Sequence, residues 1–153
     1  MSIPGVGQLT ALAFTAAVDD PGRFRRSRDI GAYLGLVPRR YQSGEVDYTG
    51  GISKCGDRRV RTLLYEAANV MLTRYKGSLK LKAWALAIAK RSTMRKARVA
   101  LARRLAIIMH AMLRRGTEFK TGVAELHLAD RRSNRAPERS DARGREQMMA
   151  PIL

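Results

Sequence analysis

Two apolar stripes of helical period leave this chain few folds to choose from. Val60, Leu63, Leu64, Ala67, Ala68 and Met71 recur at the i, i+3, i+4, i+7 spacing that lines one face of a helix. Val99, Ala102, Leu105, Ala106, Met109 and Leu113 do the same in a second, longer run. Each stripe must be covered by something, and the cheapest cover is another helix. Punctuation sets the boundaries. Asp57 can N-cap the first striped helix, and Gly77-Ser78 breaks the chain after it. Ser78 can cap a helix over Leu79 to Lys90, and the last helix runs from about Met94 to Arg115 and stops at Gly116.

Upstream, Gln8 to Val18 reads as a short apolar helix stopped by Asp19-Asp20-Pro21-Gly22. Arg28 to Leu34 reads as another, with Gly35 as its C′ residue. Leu36 to Gly56 has no helical period, and a loop of that length inside a domain is usually functional. Within it, Val46 to Thr49 can pair as a small hairpin. The fold class is therefore mainly α, a compact domain of four to five helices around a long functional loop. Residues 1–127 form this domain. Residues 128–153, which include RRSNRAPERSDARGREQ, lack a helical period and read as a disordered tail.

Charge narrows the function classes. The 153 residues hold 30 Lys+Arg against 13 Asp+Glu, a formal +17. From Arg23 to Arg61 there are ten bases and four acids; from Arg74 to Lys120 there are fourteen bases, and Glu118 is the sole acid. The tail contributes only six bases and four acids. The excess belongs to the folded body, as a surface of fixed geometry for a polyanion would require. Nucleic acid is the first candidate and an anionic membrane surface the second. No stretch is long and apolar enough for a membrane span, and no secretory signal is evident. A lone thiol, Cys55, excludes a disulfide scaffold and fits a reducing cytoplasm.

Four segments carry candidate chemistry. Ile3-Pro4-Gly5-Val6-Gly7 runs into a helix, and Gly5 and Gly7 would let backbone N–H groups approach a phosphate, as in the hairpin of a helix–hairpin–helix module. The string Pro38-Arg39-Arg40-Tyr41-Gln42-Ser43-Gly44 sets a hydroxyl beside two arginines able to neutralise a phosphodiester. Taken on its residues alone, Ser43 is a nucleophile or an ordinary turn serine. Ser53 and Lys54 lie between glycines before Arg58 and Arg59, a cradle for phosphate or simply a capped helix start. Arg95, Lys96 and Arg98 open the last helix against the sign of its dipole. His110 lies among apolar residues and reads as a core histidine, and Trp84 as a core aromatic. No histidine or carboxylate spacing suits a metal, and no Walker-type loop occurs.

In order, IPGVGQLTALAF, DPGRFRRSRDIGAYLGLVPRRYQSG, GGISKCGDRRVRTLLYEAA and RKARVALARRLAIIMHAMLRRGTEF resemble the C-terminal half of transposases of the insertion-sequence one-ten family, to which the Piv-type DNA invertases are related. The likeness runs from Ile3 to Phe119. It implies that the Tyr-x-Ser-Gly position falls on Tyr41-Gln42-Ser43-Gly44, so that Ser43 inherits a nucleophile that joins covalently to DNA. Arg39, Arg40, Ser53 and Lys54 would surround it. It further implies DNA and a structured guide RNA as partners, assembly with itself or with full-length transposase subunits, and a place in the bacterial cytoplasm at the nucleoid. Full-length members carry an N-terminal RuvC-like domain with four magnesium-binding acids. No cofactor is expected in this chain, because Mg²⁺ belongs with that domain. The chain starts at the hairpin, so the expectation is a truncated reading frame that is inactive alone. The alternative is a stand-alone nucleic-acid-binding protein without catalysis.

Overall fold

The computed structural model describes residues 3–43 and 46–119, with the side chains of residues 40–49 outside the description. The expected tail, residues 128–153, lies outside the described residues, as do Gly44 and Glu45. The elements are α1 (Gln8–Val18), α2 (Ile30–Tyr33), β1 (Pro38–Ser43), β2 (Val46–Ile52), α3 (Arg58–Thr73), α4 (Lys80–Arg91) and α5 (Met94–Arg115). Two single 3₁₀ turns, Pro21–Arg23 and Ser27–Asp29, link α1 to α2. The described residues are mainly α, with one two-stranded antiparallel sheet among them.

The termini follow local chemistry. The Asp57 carboxylate accepts from the amides of Arg59 and Val60 at 2.6 and 3.1 Å, which starts α3 as expected. Gly35 adopts φ +66 and ends α2 in a Schellman motif. In it, Gly35 N–H donates to Ala32 at 2.9 Å and Leu36 N–H to Gly31 at 2.8 Å. Gly116, at φ +61, ends α5. The expected cap at Ser78 does not form. α4 begins at Lys80 with Leu79 as its N-cap and no side-chain cap bond. Leu79 is buried, so packing of that residue rather than a hydroxyl sets the start of the helix.

α5 is the central element, touched by α2, α3, α4 and both 3₁₀ turns. Surrounded in this way, it buries more than one stripe: Leu101, Ala102, Leu105, Ala106, Ile108, Met109, His110, Ala111 and Met112 are all covered. α3 offers Val60, Leu64, Ala68 and Met71, and α1 adds Phe14 and Val18. His110 is fully buried, as expected of a core histidine. Its Nε2–H donates to the Pro21 carbonyl at 3.1 Å, and the Phe24 ring meets it edge-on at 5.3 Å. Burial depresses its pKa below 6.5, aided by the nearby Arg114 charge and opposed by the Pro21 hydrogen bond and Asp29.

Three further expectations change. The helix expected over Arg28 to Leu34 is a 3₁₀ turn followed by the single α turn of α2. The long loop is largely a β-hairpin, and its pairing extends well beyond Val46 to Thr49. Trp84 is not a core residue: it is 36% exposed, because α4 turns Leu81 and Ala85 inward. The small Ala85 lets the helices approach, and the indole is left at the edge of the seam. The Arg104 guanidinium lies 5.6 Å from its ring centroid.

Candidate nucleic-acid interface

The hairpin is built by cross-strand pairing of Pro38 with Ile52, Arg40 with Thr49, Tyr41 with Tyr48, Gln42 with Asp47 and Ser43 with Val46. Between the first two pairs the register shifts, with Arg39 on β1 facing Gly50 and Gly51 on β2. Such an extra residue increases the local twist of a ribbon. Ser43 is the last residue of β1, and only Gly44 and Glu45 separate it from β2. Ser43 thus stands at the end of the ribbon remote from the helices.

The other end is locked to the helical body. Ser53 N–H donates to the Val37 carbonyl at 2.8 Å and Lys54 N–H to Gly35 at 3.1 Å. Arg39 Nη2 donates to the Ser53 carbonyl at 3.1 Å. Arg61 Nη1 donates both to Leu34 at 3.0 Å and to Cys55 at 2.8 Å, so one guanidinium ties the two chain segments at the hairpin base. Three residues there hold left-handed backbone: Gly35, Lys54 at φ +58, and Gly56 at φ +74. A Cβ on Gly35 would lie 2.3 Å from the Cys55 carbonyl oxygen, and one on Gly56 would lie 2.1 Å from that of Tyr33. The two segments therefore touch backbone to backbone, a contact that only glycine permits.

This base gathers several of the expected residues. Arg39, Ser53 and Lys54 meet there, and Arg58 and Arg59 stand exposed in the first turn of α3 immediately beyond. Arg40 and Tyr41 belong to β1 by their backbone, and their side chains lie outside the description. Gly5 does not join this group. It occupies the turn Ile3–Val6, closed by Val6 N–H to Ile3 at 3.1 Å, with the φ of +85 that a type II turn requires. A Cβ on it would lie 2.5 Å from the Ala67 carbonyl oxygen, so the glycine is needed where the turn packs on α3. Ala67 is nine residues into α3, about 13 Å from the basic start of that helix at 1.5 Å per residue. Gly7 is exposed and is the N-cap of α1. Among the described residues no helix precedes the turn.

The α5 cluster also stands apart. Arg95 and Lys96 are exposed beside the Thr93 cap, eight and seven residues before Arg103, which packs against Gly31 of α2. That is about 10–12 Å along the helix. Arg98 differs from its neighbours: it is partly buried, and its Nε is shielded from solvent without a hydrogen-bond partner. Sequence reading missed the role of Arg61, which looks like one more outward arginine. Its one signal is its place beside Val60 and three residues before Leu64, at the border of the apolar stripe.

Electrostatics favours an anion throughout. α4 and α5 have no acidic residue at the cap or in the first turn, although the helix dipole favours one there, whereas α3 has the Asp57 carboxylate as its N-cap. Lys80 and Lys82 occupy the first turn of α4, where Lys82 donates to the Tyr75 carbonyl, and Arg95 and Lys96 occupy that of α5. Phosphate oxygens would suit the dipoles of α4 and α5 and the exposed Arg95 and Lys96. Among the described residues no group of three or more His, Cys, Asp or Glu could hold a metal. No helix among them is long and apolar enough to cross a membrane.

Comparison with known proteins gives the family. A family model described as transposase, IS116/IS110/IS902 family, matches residues 1–85. The transposase for insertion sequence element IS1111A of Coxiella burnetii is 43% identical over 123 residues, 80% of this chain and 34% of that protein. The transposase for insertion sequence element IS1328 of Yersinia enterocolitica is 37% identical over 120 residues, 78% of this chain and 36% of its own length. The pilin gene-inverting protein of Moraxella bovis is 28% identical over 126 residues, 81% of this chain and 38% of that protein. The chain thus spans about a third of the length of these relatives. With the motifs in order, the basic helix starts and these matches taken together, the chain belongs to the IS116/IS110/IS902 family of transposases.

Proposed function

We propose that this chain is the DNA-joining portion of a transposase and that Ser43 is the residue linked to DNA. The observation that carries the reading is a serine at the outer end of a ribbon whose base is pinned by Arg61 beside Lys54, Arg58 and Arg59. In the step proposed, Ser43 Oγ attacks a backbone phosphorus, an O–P bond forms, and the bond to a deoxyribose oxygen breaks. The hydroxyl proton leaves with the displaced oxygen. Backbone phosphates are held by the exposed bases, which position DNA without reading sequence. A structured guide RNA selects the sites, and the chain works with further copies or with full-length transposase subunits in the cytoplasm of a bacterium. Mg²⁺ would act in the acidic nuclease domain of such subunits.

Covalent capture tests this. The full chain is incubated with DNA carrying the element ends, with and without a supplied acidic nuclease half, guide RNA and Mg²⁺, and the products are run on a denaturing gel. The expected result is a denaturant-stable adduct in the complemented mixture that Ser43→Ala abolishes while DNA binding is retained. No adduct in the complemented mixture would refute the nucleophile and leave a nucleic-acid-binding protein without catalysis.

A further inference from the structure

We propose that Trp84 and Arg104 form a stacking platform for an unpaired base of single-stranded DNA on the outer seam of α4 and α5. Trp84 is the only tryptophan of the chain, and it is partly exposed on a helix rather than packed in the core. The Arg104 guanidinium lies over its ring, so the indole is stiffened and carries a positive charge beside it. α4 and α5 pack along each other and are joined by only two residues, Ser92 and Thr93. Exposed bases flank the indole. Lys80 lies one turn before it and Arg91 two turns after it on the same side of α4, about 6 and 10 Å along the axis. Between Glu66 and Glu118 the chain has no acidic residue at all, so nothing on this seam repels a phosphate strand.

An aromatic face between cations is the arrangement by which proteins hold single strands: the cations track the backbone and the ring stacks a base. A duplex would engage the same cations but not the indole, because its bases are already stacked and paired. DNA is the expected strand because the family transposes DNA, and the inference rests on the nucleic-acid reading above. Separated strands are present whenever transposition opens a duplex. This platform differs from the hairpin in residues and in purpose, since it holds a strand and reacts with nothing.

A single tryptophan makes the test direct. Emission of Trp84 is followed while the full chain is titrated with oligothymidylate, with a duplex and with oligouridylate, and binding is followed separately by anisotropy of labelled strands. Oligothymidylate should quench Trp84 at saturation, and the duplex should bind without quenching. Trp84→Ala should weaken oligothymidylate binding about 5- to 100-fold, leave duplex binding within about twofold, and be largely rescued by Trp84→Phe. The fluorescence arm needs no variant and therefore stands even if Trp84→Ala fails to fold. Binding of oligothymidylate without quenching, or equal quenching by duplex, overturns the platform and leaves nucleic-acid binding intact. Preference for oligouridylate overturns the assignment to DNA. Binding to none of the three overturns the nucleic-acid reading itself.

Discussion

Glycine-to-alanine changes at three positions separate strain from collision. At Gly116 the backbone is left-handed, φ +61, yet nothing lies within 4 Å of an added Cβ. Gly116→Ala should cost only the left-handed strain, about 1–2 kcal/mol. Gly35 has nearly the same φ, +66, but its Cβ would meet Cys55 O at 2.3 Å, Cys55 N at 2.4 Å and Lys54 C at 2.7 Å. These are backbone atoms, tied down by the Lys54 N–H to Gly35 carbonyl bond and by Arg61. They cannot rotate aside as a side chain would. Adding an overpacking cost of about 1–3 kcal/mol brings Gly35→Ala to about 2–5 kcal/mol. Gly51 has neither a left-handed φ nor a neighbour within 4 Å, so Gly51→Ala should be neutral or slightly stabilising, by up to about 0.5 kcal/mol. Urea denaturation followed by circular dichroism measures all three. A Gly35→Ala loss within about 0.5 kcal/mol of the Gly116→Ala loss would refute the backbone contact that anchors the hairpin. A domain with about 5–15 kcal/mol in hand survives either change, so the comparison can be made on folded protein.

Arg61→Met keeps the aliphatic stem and removes both carbonyl bonds, which should cost about 2 kcal/mol and speed amide exchange at Ser53 and Lys54 more than elsewhere; unchanged exchange at those amides would contradict the clamp. Arg61→Lys should recover part of the loss, since both bonds come from the one nitrogen Nη1 and an ammonium with three donors can replace it as far as the shorter side chain reaches. His110 contributes a stability term with a defined sign. Its folded pKa lies below 6.5, so the unfolded chain binds more protons just under that pH; the contribution is complete above 6.5 and falls away as the pH drops toward the folded value. Chemical denaturation at a series of pH values should show this decline in the native protein and a flatter profile in His110→Gln.

Much of the fold was legible because helical signals are local. The stripes of α3 and α5, the Asp57 cap, the Gly35 and Gly116 stops and the buried His110 all rest on residues a few positions apart, or on a single side chain too apolar in its surroundings to be exposed. The hairpin was underestimated because strand pairing depends on a partner across the ribbon, and its polar residues show little alternation to mark them. Trp84 was misjudged for a related reason. Its size argues for burial, but Ala85 is what α4 turns toward the core, and that choice is made by the approach of neighbouring helices.

The candidate site divides along the same line. Net charge, the acid-free stretch from residue 67 to 117 and the Pro-Arg-Arg-Tyr-Gln-Ser-Gly string are properties of the sequence. They are sufficient to point to a polyanion and to the transposase family, because charge and motif order do not depend on geometry. Which arginine faces outward and which holds the protein together does depend on it. Arg58 and Arg59 face solvent, while Arg61, two residues on, reaches back to Leu34 and Cys55. Gly5 has the composition of a phosphate loop, but its missing Cβ makes room for Ala67 of α3. A residue's type determines what it can do; the atoms that tertiary contacts bring within 3 Å of it decide which of those things it does.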